Sequence, residues 1–103
     1  MSVKQTLIYW RDIPSQVIVQ RGRKREKAML SARFQEAIDR AAMRAGKGSS
    51  DAYMSEWDRK ASVLETDEDL AALAAATAAR LEAEFTDELL TELIRNHGTA
   101  GES

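Results

Sequence analysis

Two short runs, Leu7-Ile8-Tyr9-Trp10 and Val17-Ile18-Val19, concentrate β-branched and aromatic side chains. The six residues between them, Arg11-Asp12-Ile13-Pro14-Ser15-Gln16, hold proline, aspartate and serine, which favour turns. The pattern predicts a β-hairpin. Alternate side chains of an extended chain point to opposite sides, so Leu7 and Tyr9 share one face while Ile8 and Trp10 share the other. Both faces are therefore apolar, and two strands alone are marginal in water. One face should meet helices; the other needs a wrapped helix, a second copy of the chain or a partner protein.

The remainder reads as helices. Ser31 is placed as an N-cap, and Phe34, Ala37, Ile38, Ala41, Ala42 and Ala45 follow at helical spacing up to Gly46, a natural left-handed stop. After the link Gly46-Lys47-Gly48-Ser49-Ser50, Tyr53, Met54 and Trp57 form the stripe of a second, shorter helix, and Ala61 to Glu65 reads as extended. Thr66 with Asp67, Glu68 and Asp69 sets a cap and three carboxylates at the positive end of a third helix. Its seam is Leu70, Leu73, Ala74, Thr77, Ala78, Leu81 and Phe85. Thr86 starts the last helix, with Leu89, Leu90, Leu93 and Ile94 facing inward, and Asn96-His97-Gly98 ends it. A length of 103 residues fits one domain. The expected organisation is a single α+β domain over 1–98, a β-hairpin or small antiparallel sheet packed on three to four helices, with a flexible tail over 99–103.

Charge divides the chain. Residues 1–30 carry seven cations against two carboxylates, and residues 66–103 carry two cations against nine. The sharpest local feature is Arg21-Gly22-Arg23-Lys24-Arg25-Glu26-Lys27, read as a loop or ragged strand end, with five cations in seven residues. Such a run can neutralise phosphates in a salt-sensitive way, or simply be solvated surface. Arg21, Arg23, Lys24, Arg25 and Lys27, with Arg11 nearby, are the candidate contacts for an anionic partner. Tyr9, Trp10 and Ile18 are the candidate interaction surface, the two aromatic rings as stacking faces should the partner be nucleic acid.

Other chemistries find little support. Without cysteine there is no disulfide, thiolate nucleophile or thiolate metal site, and the single His97, in the last turn of a helix, reads as a cap rather than a base. The Asp67-Glu68-Asp69 cluster is explained by helix-end electrostatics and lacks the spacing of an EF-hand. Neither glycine-bearing loop has the context of a nucleotide-binding loop. Met1–Ile8 is too short and polar for a secretory signal, and no run approaches the ~20 apolar residues needed to span a bilayer. The expectation is a cytoplasmic chain without metal or cofactor and without catalytic activity of its own.

The block Tyr9-Trp10-Arg11-Asp12-Ile13-Pro14-Ser15-Gln16-Val17 and the basic segment after it resemble a family of short bacterial proteins catalogued as the virulence factor family. So do Arg33-Phe34-Gln35-Glu36-Ala37-Ile38-Asp39-Arg40-Ala41-Ala42-Met43, Asp51-Ala52-Tyr53 and Glu56-Trp57. A similar domain is attached to a larger conserved virulence factor in some bacteria. The resemblance covers roughly residues 3–60, the acidic helical remainder being similar in character only, and it assigns no reaction. It implies an accessory role beside enzymes of methyl-folate and corrinoid methyl transfer, though the chain has no Asp-x-His-x-x-Gly motif for cobalamin. The expected function is thus that of a protein-interaction domain, with a homodimer through the hairpin as one form of it. Nucleic-acid or other polyanion binding through residues 21–27 is the alternative.

Overall fold

The structure is a computed structural model, and residues 2–99 are described. The hairpin is present and longer than its apolar runs: β1 (Ser2–Trp10) and β2 (Ile13–Arg21) pair antiparallel across the two-residue loop Arg11-Asp12. Arg11 takes a left-handed conformation, φ 54°, there. This loop is shorter than the sequence suggests, because Pro14 lies inside β2, buried, opposite Tyr9 at a register shift between Ile8 and Tyr9. Pro14 lies beyond the last β2–β3 pair, where no ladder hydrogen bond is asked of it.

The basic segment is the end of β2, a two-residue turn and the start of a third strand. Gly22, at φ 59°, supplies the positive first position of a second two-residue turn, and β3 (Lys24–Met29) returns along β2 from Lys24 opposite Arg21 to Met29 opposite Gln16. A fourth strand, β4 (Trp57–Glu65), pairs with the other side of β1 in unbroken register from Trp57 opposite Trp10 to Glu65 opposite Ser2. Trp57 therefore opens a strand, whereas the sequence stripe placed it in a helix: the short α2 (Ser50–Met54) ends before it. The result is an antiparallel sheet in the order β3-β2-β1-β4.

Three longer helices cover one face. α1 (Ala32–Arg44) buries Phe34, Ala37, Ile38, Ala41 and Ala42, and Gly46 follows it at φ 72°. α3 (Leu70–Glu84) buries Leu70, Leu73, Ala74, Thr77, Ala78 and Leu81. Its cap is Asp69, whose carboxylate accepts from the Ala72 N–H at 3.1 Å, rather than Thr66, whose hydroxyl accepts from the Glu68 N–H. The last helix, α4 (Asp87–Arg95), is capped by Thr86 as expected and buries Leu90 and Leu93. Leu89 does not face inward and stays 37% exposed. α3 packs on β2 and β3, α1 on β2 and α4. The expected tail falls outside the described residues except for Thr99, whose hydroxyl donates to the Asn96 carbonyl at 2.8 Å.

One clamp holds these helices to the exit of β3. The Ser31 N–H and hydroxyl both donate to Glu82. Arg33 donates to the carbonyls of Glu82 and Phe85 at 2.6 Å each and pairs with Glu82 and Asp87. Partial burial alone would raise the Glu82 carboxyl. The hydrogen bonds from Ser31 and Arg33, with the guanidinium charge, outweigh it and hold the group below its ordinary value.

Candidate functional site

Strand pairing sorts the side chains onto two faces. Toward the helices point Val3, Gln5 and Leu7 of β1, Val17 and Val19 of β2, Ala28 of β3 and Leu64 of β4. Gln5 is buried there and accepts a hydrogen bond from Thr77 of α3 at 3.3 Å. The opposite face has no helix along most of its length. Its cross-strand rows run Arg59-Ile8-Gln16-Met29, then Ala61-Thr6-Ile18-Lys27, then Val63-Lys4-Gln20-Arg25. Thr6 and Ile18 form its centre, each only 8% exposed. Met29 and Val63 lie at its margins, 60% and 68% exposed. Ile8 and Gln16 line a shallow depression with Met54 and Trp57 at one end.

The charge on this face is nearly of one sign. Lys4, Arg25, Lys27 and Arg59 are all exposed and project from it, one on β1, two on β3 and one on β4. Glu65, at the far corner of β4, is the one carboxylate among the described strand residues of this face, and it accepts a hydrogen bond from the Ser2 hydroxyl at 2.5 Å. By register Asp58 and Glu26 fall on the helix side, although Asp58 also borders the depression beside Trp57 and Arg59. A flat aliphatic centre ringed by cations suits a surface that is both acidic and apolar.

The sequence candidates separate accordingly. Arg25, Lys27 and Ile18 do meet on the open face. Arg23 sits in the β2–β3 turn, and Lys24 belongs to the helix side, near Glu26 and Asp69. Arg21 is a structural clamp: its guanidinium donates to the carbonyls of Thr66 and Glu68, at 3.1 and 2.7 Å, fixing the chain that enters α3. Arg11 is another. It pairs with Glu56 at 3.0 Å, donates to the His97 carbonyl at 2.8 Å and lies over the Trp10 ring.

Neither Trp10 nor Tyr9 offers a stacking face. Trp10 is fully buried, its indole N–H donating to the Tyr53 carbonyl at 2.9 Å and its ring stacked on Tyr53. Gly98 abuts it so closely that a Cβ there would lie 2.8 Å from the indole, at φ 91°, so this position requires glycine. Tyr9 lies on the helix side with the Lys60 ammonium 4.4 Å from its ring centre. It borders a cleft of about 320 Å³ with Asp12, Phe85 and Leu89. Burial, then the nearby Glu84 and Asp12 carboxylates against the opposing Arg80, raise its phenol, which stays protonated.

Two cations of the face, Lys4 and Arg59, were not among the sequence candidates. Lys4 stands three residues before the apolar run, and Arg59 belongs to a strand whose composition is not strand-like; only the register brings them beside Lys27. Among the described residues no group of three or more His, Asp or Glu side chains is placed to hold a metal ion, and no helix is long and apolar enough to cross a membrane.

Comparison with curated proteins and with solved structures finds no match. The sequence profile described as "Virulence factor" matches residues 8–94, reaching well past the resemblance over residues 3–60 and taking in both acidic helices. That span holds β2, β3, β4, the last three residues of β1 and the four helices up to Ile94, so the chain belongs to the virulence factor family.

Proposed function

We propose that this chain is a non-catalytic docking domain whose uncovered sheet face receives an acidic protein segment bearing aliphatic side chains, as an acidic amphipathic helix does. One observation carries the reading: Lys4, Arg25, Lys27 and Arg59 surround an aliphatic centre, and the carboxylate on that face is confined to one corner. A helix laid there with its acidic flanks over the cations would complete a helix–sheet–helix sandwich, covering Ile8, Ile18, Met29 and Val63. The accessory role implied by the family resemblance fits such a domain, with enzymes of one-carbon and corrinoid methyl transfer as the first partners to try.

Polyanion binding without apolar contact is the competing reading. Single-strand binders on sheets stack bases on aromatic rings, whereas the inner rows of this face are aliphatic, polar or cationic, and Trp57 at its corner is packed edge-on against Tyr53 at 5.8 Å. The test is a backbone-amide NMR titration with a synthetic glutamate–leucine peptide of helical spacing, beside single-stranded oligouridine. The expected result is salt-sensitive shifts centred on Lys4, Ile18, Lys27 and Arg59 with the peptide, and weaker, diffuse shifts with the RNA. Stronger binding of the RNA, or peptide shifts confined to the helices, would overturn the reading.

A further inference from the structure

The free edge of β4 is unusually open for a strand of nine residues. It contains no proline, its ladder with β1 has no bulge, and among the described residues its only extensive contact is with β1, the helices packing on β2 and β3 instead. Folded proteins normally shorten, bend, charge or cover such an edge, because its unpaired backbone groups invite another strand. Here Ala61-Ser62-Val63-Leu64 is an uncharged run in the middle of it.

We propose that β4 pairs with β4 of a second copy of this chain, antiparallel about a two-fold axis at Ser62, joining two sheets into one of eight strands. The register follows from the ladder. Residues facing each other across an antiparallel pair exchange both hydrogen bonds or neither. Residues of opposite parity along β4 therefore cannot face each other, and a two-fold axis must fall on a residue. An axis at Lys60 sets ammonium against ammonium. An axis at Ala61 puts Arg59 against Val63 and Trp57 against Glu65, and one at Val63 puts Ala61 against Glu65. Only an axis at Ser62, among these central positions, sets opposite charges together: Arg59 of each copy meets Glu65 of the other, twice by symmetry, on the uncovered face.

The same register places Ala61 against Val63, covering the side chain that is 68% exposed in the single chain. Lys60 meets Leu64 on the helix side, where the stem of the lysine can lie along the leucine. Opposed ion pairs and aliphatic pairs are the units that stabilise a ladder. The two basic faces would become one continuous surface with the dyad at its centre. This association goes beyond the docking role and does not depend on it: it uses the edge of β4, and of the four cations Arg59 alone takes part in both.

The test is sedimentation equilibrium of the full chain over a range of concentration and salt. The expected result is the mass of two chains in the wild type. Arg59→Glu would turn both pairs repulsive and weaken association by on the order of tenfold or more. The exchange Arg59→Glu with Glu65→Arg would restore it. Both positions are exposed, and circular dichroism melts would check that each variant folds. Ser62→Cys adds a second readout to a chain that has no cysteine. Facing residues on the axis have Cα atoms about 4.5–5.5 Å apart, within disulfide range, so mild oxidation should link two chains, and it should fail to do so in the Arg59→Glu background. A single-chain mass at every concentration, or a dimer indifferent to both the charge reversal and the exchange, would overturn the proposal. Glu65→Arg alone would also turn both pairs repulsive while keeping all four cations of the open face. Peptide shifts that persist in a monomeric Glu65→Arg variant would therefore leave the docking reading standing by itself.

Discussion

β3 closes one edge of the sheet with six residues, four of them charged, and α3 lies across it; β4 closes the other with nine residues, a central uncharged run and, among the described residues, no helix packed extensively on it. The first edge carries the usual protection against edge-to-edge pairing: it is short, it is rich in cations and it is covered. The second lacks the cover and the shortness. What differs is where each strand draws its stability. β3 is fixed by a helix above it and by the Ser31–Glu82–Arg33 clamp at its exit, while β4 depends on its ladder with β1 and on Trp57 at its start. An edge that has charged residues at its ends, Asp58, Arg59, Lys60 and Glu65, but neither cover nor shortness is the natural place to look for a partner strand.

The cross-strand pair Trp10 and Trp57 gives the largest effect with which to test this difference. Trp10 is fully buried in β1 whereas Trp57 of β4 is half-buried. Trp10→Ala should lower stability by about 3–5 kcal/mol and Trp57→Ala by about 1–2 kcal/mol, read as denaturant midpoints. Equal losses would mean that β4 is as deeply built into the fold as the strands between the edges.

A second pair repeats the contrast inside the sheet. Val19 of β2 is fully buried beneath α3, and Val63 of β4 is largely exposed. Val19→Ala is expected to cost about 2 kcal/mol. Val63→Ala should stay within about 0.5 kcal/mol when measured at concentrations where the chain is single. A concentration-dependent cost at Val63 would sharpen the comparison, since it would come from association.

The clamp at the exit of β3 predicts a dependence on acid. The folded Glu82 carboxyl titrates below its unfolded value, so its contribution is fully present above the ordinary glutamate range and fades as pH falls through the folded value. Glu82→Gln should cost about 1–2 kcal/mol at neutral pH through weakened hydrogen bonds to Ser31 and Arg33. It should also flatten the acid limb of a stability profile. An unchanged slope below the ordinary glutamate range would place that acid sensitivity elsewhere.

Much of this fold was legible because periodicity and caps speak locally. The hairpin followed from Leu7–Trp10 and Val17–Val19, and the seams of α1 and α3 from their spacing. The two edge strands were legible only in part, residues 61–65 as an extended segment and residues 21–27 as a loop or ragged strand end, for one shared reason: Lys24-Arg25-Glu26-Lys27 and Asp58-Arg59-Lys60-Ala61 have little intrinsic preference for strand, and the apolar hairpin between them imposes it. Edge strands with one solvated side need no apolar alternation of their own. The same fact hid half of the candidate surface. Lys4 and Arg59 become neighbours of Lys27 and Ile18 only through the register, whereas Arg11 and Arg21, both members of the expected site, turn inward because free carbonyls of the loops before α3 and after α4 need donors.

The smallest effect on stability bears most directly on function, through the cations of β3 and its turn. Arg25 and Lys27 project from the open face, while Lys24 projects from the helix side and Arg23 from the turn. Because all four are exposed and none of them is held in a described ion pair, neither Arg25→Ala with Lys27→Ala nor Arg23→Ala with Lys24→Ala should change stability by more than about 0.5 kcal/mol. Binding should tell the two pairs apart. Loss of Arg25 and Lys27 removes half of the four cations that ring the aliphatic centre, and it should weaken association with the acidic peptide several-fold and flatten its salt dependence. Loss of Arg23 and Lys24 takes the same charge from the protein yet leaves the face intact, so it should reduce only the long-range attraction, which 0.15 M salt already screens beyond about 8 Å. If the two double variants lose affinity equally, total charge rather than the arrangement on the sheet governs binding, and the protected edge and the open one would then differ in structure alone.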